Sequence, residues 1–232
     1  MGSGGSQKIF TTVKSYSKRG QLLKRSDLQT LAESRDLDEL VTRIKNTKYL
    51  DAINSVAKPY TAEKLEIALR AKLADEQFKI AKSSGNSKIL DAFFQRFIIS
   101  NLKLILKGKI LGKSQEEISA FFNMHAEELA KQRDIVVKAL VAKDLEEAVS
   151  SLGSSPFSDE IQKAVELYNE TKNIQAFDVY FDKMLYQNIT KALRSENDQD
   201  ISHIYGMETD FYNVMSIVRG KFWELDDERI ED

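Results

Sequence analysis

Apolar side chains recur at helical spacing along most of this sequence. Residues 61–82 carry leucine at every fourth position, at Leu65, Leu69 and Leu73, and charged residues fill the other sides of the helix that this spacing predicts. Residues 89–109 carry a wider apolar stripe, which is typical of a helix packed on more than one side. Alternation of apolar and polar residues is scarce, and the chain contains only 2 prolines. The pattern therefore predicts an all-α fold with 89–109 as a core helix.

Acidic pairs mark two helix starts. Asp36 precedes Glu39, and Asp144 precedes Glu147, at the spacing where one side chain caps the first free amides and the other reaches back. Ser114 also stands where a helix could begin. We expect a helix to start directly after each of these three capping residues.

Two phrases of the sequence occur twice and in the same order. NLKLILKGKILGKSQEEI begins at Asn101, and NVMSIVRGKFWELDDERI begins 112 positions later at Asn213. The words DLDELV at Asp36 and DLEEAV at Asp144 lie 108 positions apart. One small insertion, which we place near Asn197, reconciles the two offsets. Shared order predicts a duplicated domain, because a repeat this long exceeds the usual solenoid unit.

The duplication predicts two tandem homologous helical-bundle domains. Residues 1–20 hold a flexible leader, rich in glycine and serine, and the start of the first helix. Residues 21–122 form the first repeat, 123–128 the connection and 129–232 the second repeat. Each repeat is long enough to bury a small core of its own.

Charge and composition exclude several classes of function. The net charge of −2, with 30% charged residues, lacks the basicity of a nucleic-acid-binding protein. The chain has no cysteine, which excludes disulfides, thiolate metal sites and cysteine nucleophiles. Arg96, Lys103 and Lys107 interrupt the longest apolar region, so it falls short of a membrane span. We expect a protein that is peripheral to a membrane if it serves one.

No segment carries a convincing catalytic or cofactor-binding motif. GKILGKS, from Gly108 to Ser114, has three residues between its glycines where the phosphate-binding loop has four, and a helical segment precedes it. His125 and His203 lie far apart and lack the spacing of metal ligands. The acidic segments lack calcium-loop spacing. We therefore predict no catalytic residue, no metal site and no cofactor.

The repeated phrase contains two pairs of residues with predicted structural roles. Gly108 and Gly220 occupy the same place near the end of an apolar helix, where glycine costs about 1 kcal/mol against alanine. Their position indicates close packing or a helix end. Asn101 and Asn213 lie on the apolar side, and burial there would require hydrogen bonds to neighbouring backbone.

Four basic residues flank these glycines: Lys107, Lys109, Arg219 and Lys221. One interpretation is that they stabilise the carboxyl end of a helix through its dipole. The other is that they form a basic rim that binds an acidic partner. Both interpretations stay open from the residues alone.

The order of these phrases resembles the family of central-stalk C subunits of archaeal A-type ATP synthases, whose vacuolar-type ATPase members are called d subunits. The resemblance covers nearly all of the chain after about Lys8. In the family an acidic residue precedes the asparagine that begins the repeated phrase. Here that acidic residue is present only in the second copy, as Asp210, because the first copy has Ile98 in its place. It rests on the order and duplication of these phrases: SYSKRGQLL, DLDELVTRIKNTKYL, LEIALRAKLADEQF, NLKLILKGKILGKSQEEI and DFYNVMSIVRGKFWELDDERI.

The resemblance implies a funnel of three similar helical domains around a pseudo-threefold axis, of which two are recognised here. It implies a noncatalytic protein on the cytoplasmic face of the membrane, without a cofactor. Its partners would be the proteolipid subunits of the rotor ring and the subunits of the central shaft, between which it transmits torque. An unrelated helical adaptor that binds partner helices is the alternative, and a nucleotide-binding enzyme is a remote third hypothesis.

Overall fold

The computed structural model describes residues 3–85, 87–196, 199–222, 224 and 226–228. Every secondary-structure element within these ranges is an α-helix, which confirms the predicted fold class. Predicted features at Asn197 and Ile230 lie outside the described residues. The helices are α1 Ser3–Arg19, α2 Arg25–Ala32, α3 Leu37–Lys45, α4 Leu50–Asn54, α5 Ala62–Ser83, α6 Lys88–Ile110, α7 Gln115–Ser119, α8 His125–Ala130, α9 Arg133–Val141, α10 Leu145–Ser151, α11 Ser158–Thr171, α12 Ala176–Glu196 and α13 Gln199–Phe222.

The chain divides into two compact units, Met1–Tyr186 and Gln187–Asp232. This division concerns spatial packing, whereas the repeats predicted at 21–122 and 129–232 concern internal homology. The repeat boundaries and the connection at 123–128 therefore stay a prediction.

The acidic pairs begin their helices as the spacing predicts. Glu39 N donates to Asp36 Oδ1 at 2.8 Å, and Glu147 N donates to Asp144 Oδ1 at 2.9 Å. In both places the amide before the aspartate donates back to the glutamate carboxylate, at 3.1 and 2.9 Å. At the start of α7, Glu117 N donates to Ser114 Oγ at 3.2 Å and the amide of Ser114 itself donates to Glu117 Oε2 at 2.8 Å. The three caps confirm the predicted helix starts.

Further helix boundaries recur at the offsets read from the sequence. The helices α2 and α9 begin 108 positions apart, and α6 and α13 end 112 positions apart. Gly112 and Glu224, also 112 apart, both have positive φ and donate their amides to the carbonyl three residues back at 3.1 Å. The backbone thus leaves both long helices through the same turn.

Helix α6 forms the centre of the main core in the first unit. Its side chains Ile98, Ile99, Leu102, Ile105 and Leu106 are at most 1% exposed and share one cluster with side chains from α9, α10, α11 and α12. Smaller clusters join α3, α4 and α5, and join α5, α6 and α8. The prediction of 89–109 as a core helix is confirmed. The main cluster includes Ile98, Ile99, Leu102, Ile105, Leu106, Val136, Ala139, Leu140, Ala148, Leu152, Phe157, Ile161, Phe177 and Phe181.

Helix α1 begins at Ser3, whereas the composition predicts a flexible leader there. Its polar side chains attach it to α5: Lys14 Nζ donates to Lys79 O at 2.9 Å, and Lys18 pairs with Glu76 at 2.7 Å. The opposite side of α1 carries exposed apolar residues. The helix α1 is therefore stabilised by contacts with α5, which could not be inferred from the composition of its own residues.

The second unit contains the end of α12 and the whole of α13. Within α13, Tyr205 and Gly220 are buried, whereas its other apolar side chains are mostly exposed to solvent. Most of the exposed side chains recur at three- and four-residue steps along the helix, so they form one broad apolar face. They are Ile201, Ile204, Met207, Phe211, Tyr212, Val214, Ile217, Val218 and Phe222.

Candidate functional site

The repeated phrase lies at the ends of α6 and α13, and each predicted residue can be located there. Lys107 is half-buried and forms an ion pair with Asp178 of α12. Lys103, one helical turn earlier, lies 2.8 Å from Asp182 Oδ1 and 3.2 Å from Asp178 Oδ1. These four charges connect α6 to α12 at the margin of the core.

The charge cluster keeps its central cation protonated. Burial by itself would lower the pKa of Lys103, but its hydrogen bonds to Asp182 and Asp178 raise it, and the resulting pKa lies above the ordinary value. Partly buried pairs of this kind are screened less by salt than surface pairs. The cluster therefore fixes the position of α6 relative to α12.

Lys109 is directed into the core. Its ammonium donates to Leu140 O at 2.9 Å and to Ala142 O, which are carbonyls at the end of α9. The side chain is only 9% exposed. Lys109 therefore supplies donors and positive charge to the carboxyl end of a neighbouring helix, which is a form of the helix-end chemistry considered for it.

Gly108 of α6 packs against Ile118 of α7. A Cβ atom added to Gly108 would lie 2.7 Å from Ile118 Cγ1 and 2.8 Å from Ile118 Cδ1. Real Cβ contacts are essentially never this short, so any side chain here would displace Ile118. Packing therefore favours glycine at this position.

Asn101 belongs to a polar cluster between α5, α6 and α8. Its Nδ2 donates to Glu127 Oε1 at 2.7 Å and to Asn123 O at 3.1 Å. Asn123 in turn donates to Ile67 O at 3.0 Å. Asn101 is half-buried and has the hydrogen bonds expected of it, and the side chains of Asn101 and Asn123 together join α6, α8 and α5.

Glu127 is the residue of this cluster that sequence reasoning missed. It is fully buried, and its Oε2 has no hydrogen-bond partner among the described residues. Burial raises the pKa of Glu127, against the lowering effect of its hydrogen bonds with its own backbone and with Asn101. An acidic residue in a short polar helix usually faces solvent, so no pattern in the sequence marks this one.

The second copy of the phrase has a different environment. Asn213, Arg219 and Lys221 are exposed, and only Gly220 is buried. Lys221 forms an exposed ion pair with Asp227. The structure therefore brings Asn101, Lys107 and Lys109 into packed contacts, and it leaves their counterparts on the surface.

The segment GKILGKS forms a helix end followed by a helix start. Lys113 N donates to Gly108 O at 2.9 Å and Gly112 N to Lys109 O at 3.1 Å, which is the Schellman pattern, with Gly112 at a φ of 65°. Ser114 then caps α7. A phosphate-binding loop instead follows a strand, so this geometry does not favour nucleotide binding.

The two histidines lie apart from any acidic cluster suited to a metal. His125 Nε2 lies 3.8 Å from Asp75 Oδ1, and His203 is exposed on α13. Among the residues that the structure describes, no three His, Asp or Glu side chains are grouped so that they could hold a metal ion.

None of the helices, as far as the structure describes them, combines the length and the apolar character that crossing a bilayer requires.

Comparisons with known proteins identify relatives of this chain. It is 29% identical to the C subunit of the A-type ATP synthase of Methanocaldococcus jannaschii, over 91% of this chain and 54% of that protein. It is 26% identical to the C subunit of the A-type ATP synthase of Thermococcus kodakarensis, over 87% of this chain and 53% of that protein. The chain thus spans about half the length of the curated relatives it matches. No solved structure matches the chain.

Comparison with protein families gives the same result as comparison with single proteins. The family described as ATP synthase (C/AC39) subunit matches residues 11–232, which is most of the sequence. The match includes both copies of the repeated phrase. This chain therefore belongs to the ATP synthase (C/AC39) subunit family.

Proposed function

We propose that this chain is a noncatalytic coupling subunit of a rotary A-type or V-type ATP synthase or ATPase, in which it links the membrane rotor ring to the central shaft. The observation that carries the proposal is the family match over residues 11–232. The matched relatives are named as C subunits of A-type ATP synthases. Torque transmission is the role that the resemblance of the repeated phrases implies for this chain.

The packing of the first unit supports a mechanical role. A coupling subunit must resist deformation, and close-packed interiors have low compressibility. Helix α6 is buried on several sides, and the charges of Lys103 and Lys107 bind it to α12. Gly108 further allows α7 to pack directly on its end. These contacts would let a force applied to α6 move the neighbouring helices with it.

The proposed partners are the proteolipid subunits of the ring on one side and the shaft subunits on the other. The proposed location is the cytoplasmic face of the membrane, with the chain bound peripherally. Residues 21–122 and 129–232 would be two of the helical domains that the resemblance implies, and ion transport would be a property of the assembled complex.

The four basic residues remain the predicted partner contacts, and their accessibility differs. Arg219 and Lys221 are exposed and could meet an acidic neighbouring protein. Lys107 and Lys109 would have to release Asp178 and the carbonyls of α9 before they could bind a partner. We therefore assign the stronger partner role to Arg219 and Lys221.

Co-purification tests the proposal. The tagged chain would be produced together with the ring and shaft subunits of its own ATP synthase, and we expect both sets to be recovered with it. A chain that is recovered alone, under conditions in which the other subunits assemble, would refute the coupling role.

Charge reversal tests the basic residues separately. Arg219→Glu combined with Lys221→Glu should reduce recovery of the partners, because an acidic partner would then be repelled. Lys163→Glu combined with Lys183→Glu is the matched control, since these lysines are exposed and the change of charge is identical. If the two variants recover equal amounts of the partner subunits, Arg219 and Lys221 do not bind a partner, and their role is limited to stabilising the carboxyl end of α13.

The exposed stripe of α13 favours a second candidate function, a general helical adaptor. Apolar residues at three- and four-residue steps suit the docking of a partner helix. The co-purification experiment separates the two functions, because an adaptor unrelated to the ATPase would recover neither ring nor shaft subunits.

A further inference from the structure

Helix α1 is attached to α5 by its polar side. Thr11 Oγ1 donates to Ser83 O, Lys14 Nζ donates to Lys79 O at 2.9 Å, and Lys18 forms an ion pair with α5 at 2.7 Å. Thr11, Lys14 and Lys18 recur at steps of three and four residues, so they form one stripe along the helix. A surface helix normally packs through apolar side chains, and α1 instead makes these contacts through polar ones.

The apolar residues of α1 lie on its other side. Ile9, Phe10, Val13 and Tyr16 are 67%, 60%, 63% and 67% exposed. With 3.6 residues per turn, the centre of this group lies roughly 140° around the helix from the stripe that contacts α5. These four residues, which we call the α1 face, are therefore directed away from α5 and towards solvent.

The residues around the α1 face are basic. Lys8 and Arg19 are exposed and lie 11 positions apart, which is close to three turns of helix, so they share one side of α1 next to the α1 face. The whole chain has a net charge of −2, yet its first 26 residues contain no acidic residue. Their basic residues are Lys8, Lys14, Lys18, Arg19, Lys24 and Arg25.

The acidic residues on the part of α5 that contacts α1 are paired with lysines. Glu76 lies 2.7 Å from Lys18 and 3.0 Å from Lys72, and Asp75 pairs with Lys79. These pairs offset the negative charge of the two carboxylates. The exposed cations of α1 therefore give the surroundings of the α1 face a positive potential.

We infer that the α1 face binds the surface of a membrane that contains anionic lipids. A helix with apolar and aromatic residues on one side and basic residues beside them lies in the plane of the headgroups, with its apolar side among the acyl chains. Tyrosine is favoured at this depth, and lysine and arginine are attracted to the negative surface. A protein partner is held in one register by charges of both signs, and the first 26 residues offer only positive ones.

This inference goes beyond the proposed coupling function and does not depend on it, because it needs neither ring nor shaft subunits. Co-sedimentation of the complete 232-residue chain with protein-free vesicles tests it. We expect binding to vesicles made of equal parts of phosphatidylserine and phosphatidylcholine, and weaker binding when salt screens the charges. A chain that stays in the supernatant at low salt overturns the inference, and an acidic protein then becomes the expected occupant of the α1 face.

Neutralising the cations tests the electrostatic part. Each basic residue near an anionic surface contributes about fivefold to binding, so Lys8→Gln combined with Arg19→Gln should weaken vesicle binding about 30-fold. Lys163→Gln combined with Lys183→Gln is the matched control, since these lysines are also exposed and the change of charge is identical. Equal binding by the two variants overturns the inference.

Removing aromatic side chains tests the apolar part. Phe10→Ala combined with Tyr16→Ala should weaken binding by about tenfold or more, because less apolar area leaves water in the membrane. Phe211→Ala combined with Phe222→Ala, at exposed positions of α13, is the control and should bind like the unaltered chain. All four positions are exposed, so folding should be retained, and circular dichroism verifies this. An equal loss in both variants overturns the assignment to α1.

A fluorescent label locates the contact directly. The chain has no cysteine, so Phe10→Cys allows one environment-sensitive fluorophore to be attached on the α1 face, and Phe211→Cys allows the same on α13. Anionic vesicles should shift the emission of the label at residue 10 to shorter wavelength, because the label enters the acyl-chain region, and should leave the label at residue 211 unchanged. A shift at residue 211 alone, or at neither residue, overturns the inference.

Discussion

The asparagines of the repeated phrase allow one prediction to be worked in depth. Asn101→Ala removes two hydrogen bonds, one to the buried carboxylate of Glu127 and one to Asn123 O. A hydrogen bond contributes about 1 kcal/mol between neutral groups and about 1.5–3 kcal/mol when one group is charged, so the expected loss is about 2 kcal/mol with Glu127 protonated and up to about 4 kcal/mol with it ionised. Asn213→Ala is the matched control, because Asn213 is exposed and should change stability by less than about 0.5 kcal/mol.

Thermal and urea unfolding, followed by circular dichroism at neutral pH, measure both variants. For a chain of this size each kcal/mol shifts Tm by about 2–4 °C, so Asn101→Ala should lower Tm by about 4–16 °C while Asn213→Ala leaves it nearly unchanged. The reasoning rests on the opposite burial of two asparagines in the same phrase. Equal destabilisation by the two substitutions would refute it.

Three further predictions follow from buried groups. Burial raises the pKa of Glu127 in the folded chain. Between the ordinary pKa and this raised pKa, the folded chain keeps the proton that the unfolded chain loses, so the free energy of unfolding falls as pH rises through this range. Glu127→Gln removes the titrating group and should flatten this pH dependence. Urea titrations across that range check this, and an unchanged slope would contradict it. Lys109→Met should lower the free energy of unfolding by about 1–3 kcal/mol, because it leaves the buried carbonyls at the end of α9 without their donor. Lys221→Met is the control and should leave the free energy of unfolding almost unchanged, because Lys221 is exposed. Equal unfolding midpoints for the two variants would contradict the different burial of the two lysines. Gly108→Ala should lower the free energy of unfolding by up to about 2 kcal/mol. Overpacking against Ile118 costs about 1–3 kcal/mol, and the higher helix propensity of alanine offsets about 1 kcal/mol of it. A more stable variant would show that α7 can shift away from α6 without loss of stability.

Local sequence signals predicted the fold well because they act over a few residues. The capping pairs at Asp36 and Asp144 each satisfy amides three residues away, so their spacing alone identifies the helix start. The apolar stripe of 89–109 likewise indicates a buried helix, because its helical spacing places many apolar side chains on faces that only packing can remove from water. The sequence predicted a flexible leader where the structure begins α1 at Ser3. Helix α1 is held on α5 by hydrogen bonds to residues 65 and 72 positions away, which local sequence signals do not reveal.

The candidate site was predicted only in part. Asn101 could be selected because an asparagine within an apolar stripe requires hydrogen-bond partners. Its partner Glu127 could not be selected, because it lies 26 positions further along the chain and no pattern in that stretch brings the two residues together. The sequence left open whether Lys107 and Lys109 stabilise a helix end or bind a partner, and Asp178 and the end of α9 became their partners only through packing.

The sequence by itself determined the helical fold, the helix starts and the family to which the chain belongs. The tertiary structure decided which copy of the repeated phrase is buried, since α6 is covered by later helices whereas the stripe of α13 is exposed. The physical reason is that helix formation depends on neighbouring residues, while burial depends on whichever distant surface comes to lie against a helix. Similar spacing can therefore give a buried core helix in one place and an exposed apolar face in another.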